Sequence, residues 1–260
     1  MRPGAFLNTF KFTLTATRLG AHDLNMFKDK VTRATPQRAG SEETRTQILE
    51  TALALFRERG FDATTIRDIA TAAELSLGAA YYYFPSKEAI VGAYYHYIQE
   101  EHHARATDAF THAGDLRARL RAAMHTKIDI VQKDRALLRA LFRYGGDPDH
   151  PLSWFGTATR KHRQLSIGVF AEAVAGERFP PDVRETAPVL LWTLHMGILL
   201  YFIYDGSPNQ RRTRTLIDAA VDFAVDARRV ATSPLLRPIR RRVIAILRDA
   251  GLLPAHSSAA

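Results

Sequence analysis

Residues 44–89 read TRTQILETALALFRERGFDATTIRDIATAAELSLGAAYYYFPSKEA. Ile48, Ala52, Leu55 and Phe56 recur at i, i+4, i+7 and i+8, the single apolar stripe of an amphipathic helix. Gly60 ends that helix, because glycine takes the left-handed conformation at little cost. A second, short helix follows: Thr65 is a good N-cap, Asp68 three residues on completes a capping box, and Ile66, Ile69, Ala70 and Ala73 supply a buried face. Ser76 caps a third helix that runs to about Phe84, where Pro85 stops it, since the residue before proline resists the helical conformation. Ser86 caps a fourth, longer helix carrying Ile90, Tyr94 and Ile98. Two short helices joined by a tight turn make a helix-turn-helix. In the third helix Ala80 and Phe84 suit the core, which leaves Ser76, Leu77, Ala79, Tyr81 and Tyr82 for an outer face. Tyr81, Tyr82 and Tyr83 beside Lys87 are unusual for a merely solvated helix, and tyrosine hydroxyls can bond phosphate oxygens. A tyrosine cluster at this spacing is also what core packing produces.

The surrounding chain is 260 residues long and 46% apolar, enough for one large domain or two modest ones. Its net charge of +9 favours an anionic partner, and the charge is unevenly spread. Residues 1–40 carry +5, residues 41–90 carry −3 and residues 91–260 carry +7, so the basic excess flanks the helix-turn-helix. Residues 1–40 hold no sustained period and are expected to form a disordered basic arm. The first 25 residues lack the apolar core of a secretory signal, with Asn8, Thr9 and Thr13 interrupting every apolar stretch.

The stretch from Thr44 to Ala89 resembles the N-terminal DNA-binding domain of the TetR family of repressors. The likeness rests on the stripe ending in Phe56, on Gly60-Phe61, on Thr64 to Ala70, and on Ser76, Gly78, Tyr81, Phe84, Ser86, Lys87 and Glu88. It implies an all-α fold: a three-helix helix-turn-helix domain over residues 41–90 and a helical ligand-binding and dimerisation domain over 91–260. It also implies a ligand-responsive repressor, a homodimer on a palindromic double-stranded DNA operator. By the same resemblance Thr65 and Arg67 lie near the DNA backbone, Ser76, Leu77, Gly78, Ala79, Tyr81 and Tyr82 face the major groove, and Tyr83 and Lys87 add phosphate contacts. Two positions depart from the family pattern. Leu77 stands where a polar or basic residue is frequent, and Glu74 where glycine is common. The recognition helix thus carries no Arg or Lys, so bidentate reading of guanine from it is excluded.

Beyond residue 105 the helical reading continues over Asp115–Lys133, Arg135–Tyr144, Pro151–Ala175, Pro181–Tyr204, Pro208–Val230 and Leu236–Ala250. The Pro181–Tyr204 segment is apolar nearly all round and must be buried on several sides. The next helix carries a cleaner stripe, Leu216, Ala220, Phe223, Ala224 and Ala227, with Arg214, Asp218, Asp222 and Asp226 opposite. In the family the corresponding helices pair with their symmetry mates as a four-helix bundle. Candidate effector contacts are Phe142, Trp154, Phe155, Phe170, Trp192, His195, Met196 and Tyr201, although any of them can equally be ordinary core. Their composition points to a small, largely apolar effector; a ligand-independent regulator with a filled core is the alternative.

Other classes find less support. The absence of cysteine excludes disulfides, thiolate metal sites and a cysteine nucleophile. No nucleophile elbow, Walker loop or dinucleotide fingerprint occurs, so no enzyme and no cofactor is expected. His96, Glu100 and His103 share a helix face and offer a metal-binding alternative, but three ligands on one straight helix rarely converge on an ion, and Glu101 and His102 beside them read as a solvated polar face. Arg237, Arg240, Arg241, Arg242 and Arg248 on the last helix also read as solvated. The apolar run Val189 to Tyr204 falls short of a bilayer span, so no membrane partner is expected and the chain is placed in the cytoplasm.

Overall fold

Local signals decide where the helices begin and end. A computed structural model of the chain describes residues 36–147, 149–251 and 253. Helix α1 (Pro36–Arg59) begins five residues before the expected Ser41. The arm expected over residues 1–40 otherwise lies outside the described residues. The chain divides into two units between Gln47 and Ile48. In the first, Thr44 Oγ1 donates back along α1 to the Gly40 carbonyl at 2.9 Å. The second unit, from Ile48 onward, holds everything that follows.

Gly60, at φ +89°, ends α1 with its amide on the Phe56 carbonyl. Helix α2 (Ile66–Ala72) opens on the expected capping box: Thr65 Oγ1 accepts from the Asp68 amide, and the Asp68 carboxylate accepts from the Thr65 amide at 2.8 Å. It closes on a Schellman motif, with the Leu75 amide on Ala70 O (2.9 Å) and the Glu74 amide on Thr71 O (3.2 Å). The residue that must turn left-handed in that motif is Glu74, at φ +56°. Ser76 Oγ accepts from the Ala79 amide to cap α3 (Leu77–Tyr83). Ser86 caps α4 (Lys87–His112) in the same way. Ile48, Ala52, Leu55 and Phe56 are all buried, as are Phe61, Ile66, Ile69, Ala80, Phe84 and Ile90, and Phe56 meets Phe61 edge-on at 5.2 Å between centroids.

Helix α4 continues without a break into a second group of helices. These are α5 (Leu116–Val131), a 3-10 turn (Gln132–Asp134), α6 (Arg135–Gly145), α7 (Arg160–Val174), α8 (Pro181–Tyr204), α9 (Arg211–Ala231) and α10 (Arg237–Asp249). Helix α5 packs on α4, α7 and α9, while α8 packs on α6, α7, α9 and α10. No strand occurs among the described residues.

The expected helix over Pro151–Ala175 forms only from Arg160. Residues 151–159 fold instead into a loop tied back to the end of α6: Ser153 Oγ donates to the Gly145 carbonyl at 3.2 Å and the Trp154 amide to the same oxygen at 3.3 Å. Gly145 is required there, because a Cβ at that position would lie 2.5 Å from the Trp154 ring.

An antiparallel ladder joins α5 to α9. Arg117 pairs with Asp222 and with Asp226 (2.9 Å), Arg121 with Asp222 (2.7 Å) and Asp218 (3.3 Å), His125 with Asp218 (3.0 Å), and Arg214 with Asp129 (2.6 Å). Each rung sits four residues from the last on both helices, so one face of each helix supplies the whole ladder.

Candidate DNA-binding face and effector cavity

The turn between α2 and α3 leaves one side of α3 uncovered. Tyr82 is 81% exposed and Tyr81 50%, whereas Ala80 is buried behind them. Leu77 and Ala79 are half-buried and Gly78 is exposed; Arg67 of α2 is exposed too. Tyr83 is half-buried, its ring edge-on to Tyr82 at 5.2 Å between centroids. The Ser76 hydroxyl accepts its capping bond and keeps its proton for another acceptor.

Two of the expected DNA contacts already donate to groups inside the protein. The Thr65 hydroxyl donates to Asp68 Oδ2 at 2.6 Å. Lys87 Nζ donates to the Phe61 carbonyl (2.7 Å) and the Asp62 carbonyl (3.4 Å), and sits 4.5 Å from the Phe61 ring centroid. Lys87 therefore clamps the α1–α2 loop to the start of α4.

A cavity of about 100 Å³, open to solvent on one side, lies among α4, α5, α6, α7, α8 and the loop before α7. Of the eight candidate effector residues, Phe142, Trp154, Trp192 and Met196 line it. The other four do not. Helix geometry explains Tyr201: it lies nine residues from Trp192, half a turn round α8, and faces outward. Phe155 is more than half exposed, edge-on to Trp192 at 6.3 Å. Phe170 and His195 are buried behind the lining, 5.5 Å apart between ring centroids.

His195 also stacks on His102 at 6.2 Å, and neither of its ring nitrogens finds a hydrogen-bond partner among the described residues. Burial, with the nearby Lys127 ammonium adding to it, pushes its pKa down to about 3. His102 is held well below the ordinary histidine range by burial, then by Lys127 and His195, while Nε2–H donates to the Ala123 carbonyl at 2.7 Å.

Several cavity residues escaped the sequence reading. Tyr95, Ile98 and Gln99 come from α4, Lys127 and Val131 from α5, and His162, Arg163 and Ser166 from α7. Their spacing of three and four residues on α4 and α7 was a visible signal, but it was indistinguishable from that of ordinary core.

The metal alternative is not assembled. His96 pairs with Glu100 at 3.3 Å, whereas His103 turns to Glu172 on α7 at 2.7 Å, and no metal-holding group occurs among the described residues. Glu101 and His102 are buried, not solvated, because α4 is covered by α5 and α7 on that side. Two of the α10 arginines are likewise not solvated: Arg240 pairs with Asp182 (2.8 Å) and Arg248 with Glu185 (2.7 Å), fastening α10 to the start of α8.

Helix α8 is long and apolar enough to cross a membrane by length and composition, but half of that window is buried within the fold. Its outward face shows Leu190, Leu194, Leu200, Tyr201 and Tyr204, and α9 shows Leu216, Phe223 and Val230, with Phe223 76% exposed.

The helix-turn-helix and the cavity are joined by two carboxylates. Asp62, in the α1–α2 loop, accepts from Arg143 and Tyr144 of α6, each at 2.5 Å. The Tyr144 hydroxyl, first, and Arg143 with it hold the Asp62 carboxyl below its usual range. Asp134, before α6, accepts from Arg57 of α1 (2.5 Å) and from the Tyr94 hydroxyl of α4 (2.7 Å). The same α6 puts Phe142 into the cavity wall.

A family model described as bacterial regulatory proteins of the tetR family matches residues 48–94, and one described as a tetracyclin repressor-like C-terminal domain matches residues 119–241. The HTH-type transcriptional repressor KstR2 of Rhodococcus jostii is 28% identical over 150 residues, 56% of this chain and 72% of that protein. The HTH-type transcriptional regulator TtgR of Pseudomonas putida is 39% identical over 71 residues, 26% of this chain and 34% of its own. Among solved structures, a tetR-family transcriptional regulator from Streptomyces coelicolor superposes with a TM-score of 0.56 at 26% identity, covering 78% of this chain and 89% of its own. A TetR regulator from Nitrosomonas europaea superposes with a TM-score of 0.55 at 18% identity, over 70% of this chain and 97% of its own.

Proposed function

The chain belongs to the TetR family of transcriptional regulators, and on that premise we propose that it is a cytoplasmic homodimeric repressor released from a palindromic operator by a small, largely apolar effector. The observation that carries this reading is the uncovered side of α3, with Tyr81 and Tyr82 exposed beside Leu77, Gly78 and Ala79, in one fold with a largely apolar cavity beside the middle of α4. Exposed aromatic side chains on a short capped helix cost solvation unless a partner covers them.

The rest follows in three parts. Residues 41–90 bind DNA and 91–260 bind effector and partner subunit, with the basic residues ahead of α1 adding electrostatic attraction to DNA. The exposed apolar faces of α8 and α9 meet their copies in a second subunit, since apolar patches of that extent mark interfaces. The dimer presents two α3 helices to half-sites about 34–36 Å apart. An effector that fits the cavity better in one spacing of the two α3 helices shifts the dimer to that state by its differential affinity.

Footprinting of the DNA flanking the gene tests this. The expected result is protection of an inverted repeat by a dimer, weakened by compounds that raise the melting temperature. Protection of a single half-site by a monomer overturns it, as do stabilising compounds that never alter operator affinity.

A further inference from the structure

Lys127 is 3% exposed, yet it lines the effector cavity. Its Nζ donates to Gln99 Oε1 at 2.8 Å, and among the described residues no carboxylate pairs with it. That is unusual in this chain, where arginines on the same helix are matched to aspartates across α9. Helix geometry accounts for the difference. The ladder uses Arg117, Arg121, His125 and Asp129, while Lys127 stands two residues from the last two of these, about 200° round α5. It therefore points to the cavity side and away from every rung.

Its other neighbours make matters worse for the charge. His102 and His195 lie within its field and are both held neutral by it and by burial. Burial pulls the lysine itself down to about 7. An ammonium in such a place is costly until an anion joins it. The cavity offers an anion an approach to it. There Gln99 and Tyr95 stand on α4, and Tyr95 accepts a hydrogen bond from the Trp154 indole and so keeps its hydroxyl proton free to donate. The rest of the wall is mostly apolar, with Ile98, Val131, Leu138, Phe142, Trp192 and Met196, while Thr159, His162, Arg163 and Ser166 line the side toward α7, where Arg163 donates to the Trp154 carbonyl at 2.5 Å.

We infer that the effector is an apolar monocarboxylate, its carboxylate seated on Lys127 and its hydrocarbon body lying against Phe142, Trp154, Trp192 and Met196. One buried cation balances one negative charge. This inference rests on the cavity being the effector site.

The experiment is a titration of the full-length protein with alkanoic and phenylalkanoic acids of about six to twelve carbons, each beside its primary amide and its phosphomonoester counterpart. Fluorescence reports directly, because the chain has two tryptophans and both line the cavity. The acids are expected to bind about tenfold to a hundredfold tighter than the amides, the worth of a buried charge-assisted contact. Lys127→Met should erase that preference, leave amide binding within about twofold, and raise the melting temperature of the free protein, because it removes an uncompensated charge without opening a void. Acids and amides binding alike, or Lys127→Met weakening both equally, overturns the inference and leaves the effector-cavity reading standing. Tighter binding of phosphates overturns it in favour of a different anion. If no compound perturbs the tryptophans or operator binding, the effector-cavity reading fails as well.

Discussion

Arg57 and Asp134 stand 77 residues apart in sequence and 2.5 Å apart in space, the guanidinium in the last turn of α1 and the carboxylate in the turn before α6. Asp134 is 3% exposed and also accepts from Tyr94, so one buried carboxylate ties α1, α4 and the turn before α6 together. Removing the cation strands that charge, whereas an amide in its place still accepts hydrogen bonds. Arg57→Leu is expected to cost about 2–3 kcal/mol in denaturant unfolding and Asp134→Asn distinctly less. Both should weaken effector-induced release from the operator. Equal costs, with release unchanged, would show that the pair is a surface contact without a coupling role.

Glu74 adopts φ +56° because the Schellman motif ending α2 demands a left-handed residue. A Cβ in that conformation costs about 1 kcal/mol relative to glycine. Glu74→Gly should therefore stabilise the protein by up to about 1 kcal/mol, with operator affinity little changed. A thermal melt checks this, and a lower melting temperature contradicts it.

Leu77 and Tyr82 share the uncovered side of α3 but offer different chemistry. An apolar side chain can pack on a thymine methyl, while a tyrosine hydroxyl bonds phosphate regardless of sequence. Leu77→Ala is expected to relax preference at one base position, costing about 1–3 kcal/mol on the best operator. Tyr82→Phe should weaken all operator variants about equally. Binding measured over a set of single-base variants separates the two, and uniform losses for both mutants would refute the division of labour.

His195 is buried and its pKa is depressed to about 3, so as pH falls the unfolded chain takes up a proton before the folded one does. Its contribution to stability is complete above its unfolded value near 6.5 and is lost progressively toward pH 3. His195→Leu should flatten the acid limb of a stability–pH curve while leaving operator binding at neutral pH intact. Parallel curves for the mutant and the parent protein would rule this out. His102, depressed for the same reason, leaves part of the slope in place.

The sequence by itself determined the helix-turn-helix. The stripe from Ile48 to Phe56, the Thr65–Asp68 box, the Ser76 and Ser86 caps and the stop at Pro85 are all interactions within four residues, and such interactions form wherever the chain goes. It also located α8 and α9 and the stripe on α9. It did not decide which side of α8 meets the cavity, because a helix apolar all round carries no preferred face. Only packing on α5, α6 and α7 turned Trp192 and Met196 inward to the cavity, His195 into the core and Tyr201 outward. Packing likewise buried Glu101 and His102 and folded residues 151–159 into a loop over Gly145. It also set Lys127 on the cavity side of α5, where no carboxylate among the described residues pairs with it. Those placements depend on contacts between residues tens of positions apart, and a periodicity of 3.6 contains no information about what stands opposite.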